Sequence, residues 1–117
     1  MSETRDDAGA VRALIRGVDR AALAVSLADG APYASLVVVA CDQAARPILL
    51  ISQLAEHTQA ILRGSPVSLM YDGTLGRDDA LSGARASVQG KAEAIDDPAA
   101  RARFIARHPR APVYVDF

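Results

Sequence analysis

The sequence predicts a mainly β domain of the α+β kind, a small antiparallel barrel with flanking helices. Three observations lead there. β-rich runs at residues 22–28, 33–41 and 47–52 follow one another through connections of only a few residues, too short for the crossover that parallel strands need. Two further runs, at 67–71 and 84–95, come after a single short helical pattern. The glycine-rich dinucleotide fingerprint and the phosphate loop are both absent from the sequence, which argues against a doubly wound nucleotide-binding sheet.

The elements follow in order. Residues 1–6 are polar and acidic and are expected to be a disordered lead-in. Asp6 or Asp7 can cap a helix whose apolar stripe is Val11, Leu14, Ile15 and Val18, spaced i, i+3, i+4, i+7. Asp29-Gly30 between the first two β runs is a hairpin signal, lengthened by the following Pro32. Leu36, Val37, Val38 and Val39 are apolar on both faces, as a central strand would be. After the third run a helix is expected at about 55–63, stopped by Gly64-Ser65-Pro66. Gly73, Gly76 and Gly83 among charged residues read as an exposed loop, and Gly90 as a bulge or bend in a long fifth strand. Asp96-Asp97-Pro98 opens the last helix, with Phe104 and Ile105 on its buried side and His108-Pro109 at its end.

Composition bounds the function. At 117 residues the chain is one domain with a single core and little to spare. With no Trp and five other aromatics, Ala, Val, Leu and Ile must fill that core. A net charge of −1 gives no support for nucleic-acid binding, and the bias to twelve Arg over one Lys is read first as genomic. Cys41 is the only cysteine, so an internal disulfide is impossible, and its strand-end position suggests an inert thiol. The start does not resemble a signal peptide and no apolar run approaches the roughly 18 residues of a membrane span, so a cytoplasmic, non-membrane protein is expected.

The string SQLAEHTQ at residues 52–59 concentrates the polar chemistry. It places Glu56, His57 and Thr58 near the first turn of a helix that follows a strand, and helix starts favour anions. Ser52, His57 and Thr58 are therefore candidate phosphate contacts. Ser52 and His57 could approach one another, but no nucleophile elbow surrounds the serine. His57 and His108 lie on different helices without a second ligand at helical spacing, so no metal site is expected. Arg101, Arg103, Arg107 and Arg110 read as a solvated basic face at a helix C-terminal end. Arg85 opens a strand with Ser87 and Gln89 on its face, a row that either meets solvent or lines a ligand groove.

Taken in order, residues 32–37, 52–58, 66–70 and 90–93 form a pattern. Through it the sequence resembles the FMN-binding split-barrel proteins of the pyridoxamine 5′-phosphate oxidase-like superfamily, nearest to the branch of haem-utilisation proteins. The resemblance runs from about Ala13 to the end. It implies an antiparallel split β-barrel with flanking helices over residues 7–117, a homodimer, and FMN held in a groove between subunits. It also implies a phosphate seat at Ser35, Ser52, His57 and Thr58, and Arg85 beside the isoalloxazine ring, where a cation would stabilise charge on the reduced flavin.

Two departures accompany it. In the oxidases themselves Arg and Lys stand where this chain has Ser35, Ala40, His57 and Thr58. Relatives also continue beyond the Asp116-Phe117 region with strands that complete the barrel and carry substrate-phosphate contacts, so pyridoxamine phosphate oxidation is not expected. The implied function is an FMN-dependent oxidoreductase acting on a small redox substrate, with no protein group assigned as catalytic. The alternatives are haem binding or haem breakdown on the same scaffold, with His108 as an available axial ligand, and a non-catalytic flavin-binding or interaction module.

Overall fold

A computed structural model describes residues 7–111; the lead-in expected at residues 1–6 and the last six positions lie outside the described residues. The order is α1 (Asp7–Gly17), β1 (Arg20–Ser26), β2 (Pro32–Cys41), β3 (Pro47–Leu49), α2 (Glu56–Leu62), β4 (Val67–Asp72), a short 3-10 turn (Ala80–Ser82), β5 (Arg85–Gly90) and α3 (Pro98–Arg107). The strands form one curled sheet in the order β3-β2-β1-β4-β5, every pair antiparallel. Among the described residues no helix is long and apolar enough to cross a membrane.

The β1–β2 hairpin turns where Asp29-Gly30 requires it. Gly30 adopts φ +86°, a region that costs glycine nothing, and Asp29 Oδ1 accepts from the Ala31 N–H at 2.9 Å. The central strand is β1, not β2, because β1 pairs with both β2 and β4 along most of its length. β3 supports only the last part of β2, pairing with Val39, Ala40 and Cys41. The two-faced apolar run of β2 therefore leaves Leu36 72% exposed.

Two strands are shorter than the sequence predicts, each for a local reason. β3 stops at Leu49 instead of residue 52, and Ser52 is already in a turn, its carbonyl accepting from the Ala55 N–H. β5 stops at Gly90, opposite Val67, because Pro66 precedes Val67 and has no N–H to extend the ladder. The long fifth strand to residue 95 does not form.

Side-chain alternation sorts the sheet into two faces. Leu23, Val25, Val37, Val39, Leu69 and Tyr71 point to one face and bury against Ile15 of α1 and Ala60 of α2. On the other face Ala40 packs with Phe104 of α3 and Ala111, joined by Ile48 and Leu50. α3 covers only the β3–β2 end of that second face, since its contacts are with β2 and β3. Leu36 and Met70, which both lie opposite Ala22 in the register, stand open beyond it.

Candidate functional site

The head of α2 is built on Ser52. Its carbonyl accepts from the Ala55 N–H at 3.2 Å and from Thr58 Oγ1 at 2.5 Å, and its Oγ accepts from the Leu54 N–H at 3.2 Å. Thr58 is buried by this arrangement. One residue earlier, His57 reaches across to β2, where its Nδ1 lies 2.8 Å from Ser35 Oγ. The pairing suggested between Ser52 and His57 is thus taken by Ser35, which lies twenty-two positions away in sequence. His57 Nε2 is buried and makes no hydrogen bond among the described residues. Burial lowers the imidazole pKa from its ordinary value, because the charged form would be stranded away from water.

Ser35, Ser52, His57 and Thr58 gather at the head of α2 and the strand beside it; their hydroxyls are engaged by His57 Nδ1 and by backbone, while His57 Nε2 is left without a hydrogen bond among the described residues. The first turn of α2 carries Glu56, and Ala55 at the cap offers no side-chain hydrogen bond. A phosphate arriving here meets an acidic residue and hydroxyls already engaged.

Arg85 stands elsewhere. Its neighbour Ala86 lies opposite the buried Tyr71, so Arg85 falls on the other face, opposite Asp72. Ser35 lies opposite Leu23, on the face that holds the main core. Within one chain, Arg85 and the head of α2 are on opposite faces of the sheet. Hydrogen bonds from Thr74 hold the Asp72 carboxyl below its usual pKa, and the charge of Arg85 adds to them.

A second place has the shape of a ligand site, and the sequence reading did not assemble it. Between β2, the chain following β3 and the end of α3 lies a slot of about 350 Å3, within the range of small-molecule pockets. Its walls are Val38, Leu50, Ile51, Phe104 and Ala111, with Ser52 beside them. His108 and Arg110 are its polar groups at the α3 end. The neighbouring cations are tied down: Arg103 Nε donates to the Cys41 carbonyl at 2.9 Å and an Arg107 guanidinium N–H to the Gly17 carbonyl at 3.2 Å. Arg110 has no hydrogen bond or ion pair among the described residues. The visible signal was Phe104 and His108, four apart at a helix end; their rings sit 4.8 Å apart in the fold. What sequence could not show is that Val38, Leu50 and Ile51 meet them.

The pyridoxamine 5′-phosphate oxidase family pattern matches residues 8–114, across the helices and strands described above. The chain belongs to this family. It is similar to the "Non-canonical heme oxygenase HOZ, chloroplastic" of Arabidopsis thaliana, with 37% identity over 93 residues, 76% of this chain. The chain spans only 27% of that protein's length. Among solved structures, a heme-binding protein from Mycobacterium smegmatis superposes with a TM-score of 0.88 at 25% identity, over 99% of this chain and 49% of that one. HutZ, described as the heme storage protein of Vibrio cholerae, superposes with a TM-score of 0.69 over 97% of this chain and 80% of its own. At 18% identity the HutZ likeness shows the fold alone. The curled five-stranded sheet with its three helices is thus the split-barrel scaffold of the family, on which relatives with haem-related names are built.

Proposed function

We propose that this chain binds haem in the slot between β2 and α3, and that the phosphate seat expected for FMN acts here as a structural latch between α2 and β2. The observation that carries the reading is the make-up of the slot: apolar walls, one imidazole, and one guanidinium without a partner among the described residues. Haem is an apolar plate carrying two carboxylates and an iron. Burying the plate against Val38, Leu50, Ile51 and Phe104 draws on the hydrophobic effect. Arg110 suits a propionate, because a guanidinium pairs with a carboxylate through two parallel hydrogen bonds. Val38 continues along its strand face to the exposed Leu36, so apolar surface extends beyond the slot. The haem-related names of the relatives support the same ligand class. Bound haem would supply a redox-active iron; the chain's own groups bind and orient it.

The test is titration of the purified chain with haemin, followed by the Soret band, beside a parallel titration with FMN followed by flavin fluorescence. A saturable one-to-one haem complex is expected, weakened at least tenfold, about 1.4 kcal/mol, by Val38→Asp. Saturable FMN binding with no haem complex would overturn the reading. Incubating the complex with ascorbate and following loss of the Soret band distinguishes haem breakdown from haem holding.

The flavin reading retains one specific support, the buried and unpartnered Nε2 of His57 at the head of α2, which a ligand group would satisfy. If FMN binds, His57→Ala with Thr58→Ala should weaken it severalfold or more, and the redox chemistry would be the flavin's. A homodimer is part of either reading. The open sheet face with Leu36 72% and Met70 41% exposed supports it, and sedimentation velocity tests it.

A further inference from the structure

We infer that His108 is a positioning residue: its ring clasps the end of α3 to β2 and so sets Arg110 to receive a carboxylate of the bound tetrapyrrole. The inference rests on the haem reading above. It starts from how α3 ends. His108 leaves the helical conformation at φ −128°, ψ 81°, while its own N–H still closes on the Phe104 carbonyl at 2.9 Å. Its ring reaches β2, where Nε2 lies 2.6 Å from the Val39 carbonyl oxygen. A carbonyl only accepts, so Nε2 is the donor of this bond. The last β1–β2 partners at this end are Arg20 and Val38, so the bond falls one residue beyond the ladder. Val39 is fully buried there, and a buried carbonyl left without a donor is costly. The Phe104 ring packs on the imidazole, with centroids 4.8 Å apart.

A tight turn follows. The His108 carbonyl accepts from the Ala111 N–H at 2.9 Å, with Pro109 at the second position, where its restricted φ suits a turn. Ala111 is buried with Ala40 and Phe104. Arg110 thus stands near the tip of a turn whose two ends are fixed, one by the imidazole and one by burial. It lines the slot, is exposed, and has no hydrogen bond or ion pair among the described residues. A guanidinium whose backbone is already held loses less freedom on pairing with a carboxylate. In this arrangement His108 is not the iron's ligand. Nε2, the ring nitrogen farther from the chain, is spent on Val39, and Nδ1 is crowded by the ring's own attachment to the backbone. Recognition rests on the plate and the carboxylates instead.

The first measurement uses the ligand-free chain. Long-range proton–nitrogen NMR of the histidine side chains at neutral pH should show His108 protonated on Nε2. The Nδ1–H tautomer would overturn the inference whatever the chain binds. The second compares haemin affinity in His108→Leu and His108→Gln. Leucine keeps bulk against Phe104 but cannot donate, and should weaken haemin binding about tenfold. The glutamine amide can donate to Val39, and should restore most of the affinity with the Soret band unmoved. Haemin dimethyl ester, which has no free carboxylate, should bind the wild type and His108→Leu equally. Arg110→Gln, a change at an exposed side chain, should reproduce the loss of His108→Leu, and the double variant should lose no more than either. Additive losses, an equal loss for the ester, or a Soret shift in His108→Gln would overturn the inference and leave haem binding standing. A wild-type chain without any haemin complex would overturn both, with the tautomer still read separately.

Discussion

Leu23 and Leu36 lie on neighbouring strands one register step apart, and the fold predicts opposite consequences for shortening them. Leu23 is fully buried in the central strand, opposite Ser35 on one side and Leu69 on the other. Leu23→Ala removes three carbons from a closed core. At about 0.8 kcal/mol per carbon the transfer contribution is roughly 2.4 kcal/mol, and the unfilled cavity raises the total to about 3–4 kcal/mol. For a domain of this size that lowers the melting temperature by about 12–16 °C. Leu36 is 72% exposed on the other face, so Leu36→Ala should cost about 0.5 kcal/mol or less in dilute solution. Urea unfolding followed by circular dichroism at submicromolar protein measures both, at a common slope. A one-residue slip of β2 would turn Leu36 into the core. Equal losses for the two variants under dilute conditions would therefore refute the register and the face assignment together. A cost of Leu36→Ala that grows with protein concentration is expected if a second copy covers that face.

Acid should destabilise the fold through His57. Its folded pKa lies below the unfolded value of about 6.5, so between the two the unfolded chain binds more protons. Its contribution is fully present above about pH 6.5 and is lost as pH falls through the folded value; melts from pH 8 to 5 should lose that part of their slope in His57→Gln. Gly73→Ala should cost about 1–3 kcal/mol by overpacking, because an added Cβ would sit 2.7 Å from the Ala84 carbonyl oxygen and 2.8 Å from Leu14 Cδ1. That carbonyl is held by the Gly73 N–H at 2.8 Å and has little room to withdraw; the urea midpoint reads the effect. Asp97→Ala should cost about 0.5–2 kcal/mol, since Asp97 Oδ1 caps α3 through the Ala99 N–H at 3.0 Å, and Asp97→Ser should restore most of it in the same assay.

The sequence by itself determined what depends on neighbours along the chain. Asp29-Gly30 sets the hairpin because only a residue tolerant of positive φ makes that turn. Asp97-Pro98 starts α3 because a capping carboxylate and a residue without an N–H both suit a helix's first turn. Order and type of the helices and strands followed from such local preferences and from apolar spacing, whereas β3 and β5 end earlier than that spacing suggests. The tertiary structure alone decided what depends on distant partners. β1 rather than β2 became central because β4 chose to pair there. His57 bonded to Ser35 rather than Ser52 because Ser52 was consumed in building the turn before α2. Arg85 lies away from the head of α2 because residue alternation across β4 and β5 sends it to the other face. The slot, and the contact of His108 Nε2 with the Val39 carbonyl, exist only once α3 lies across β2. Val39 and His108 are sixty-nine positions apart in sequence, and nothing local signals their contact.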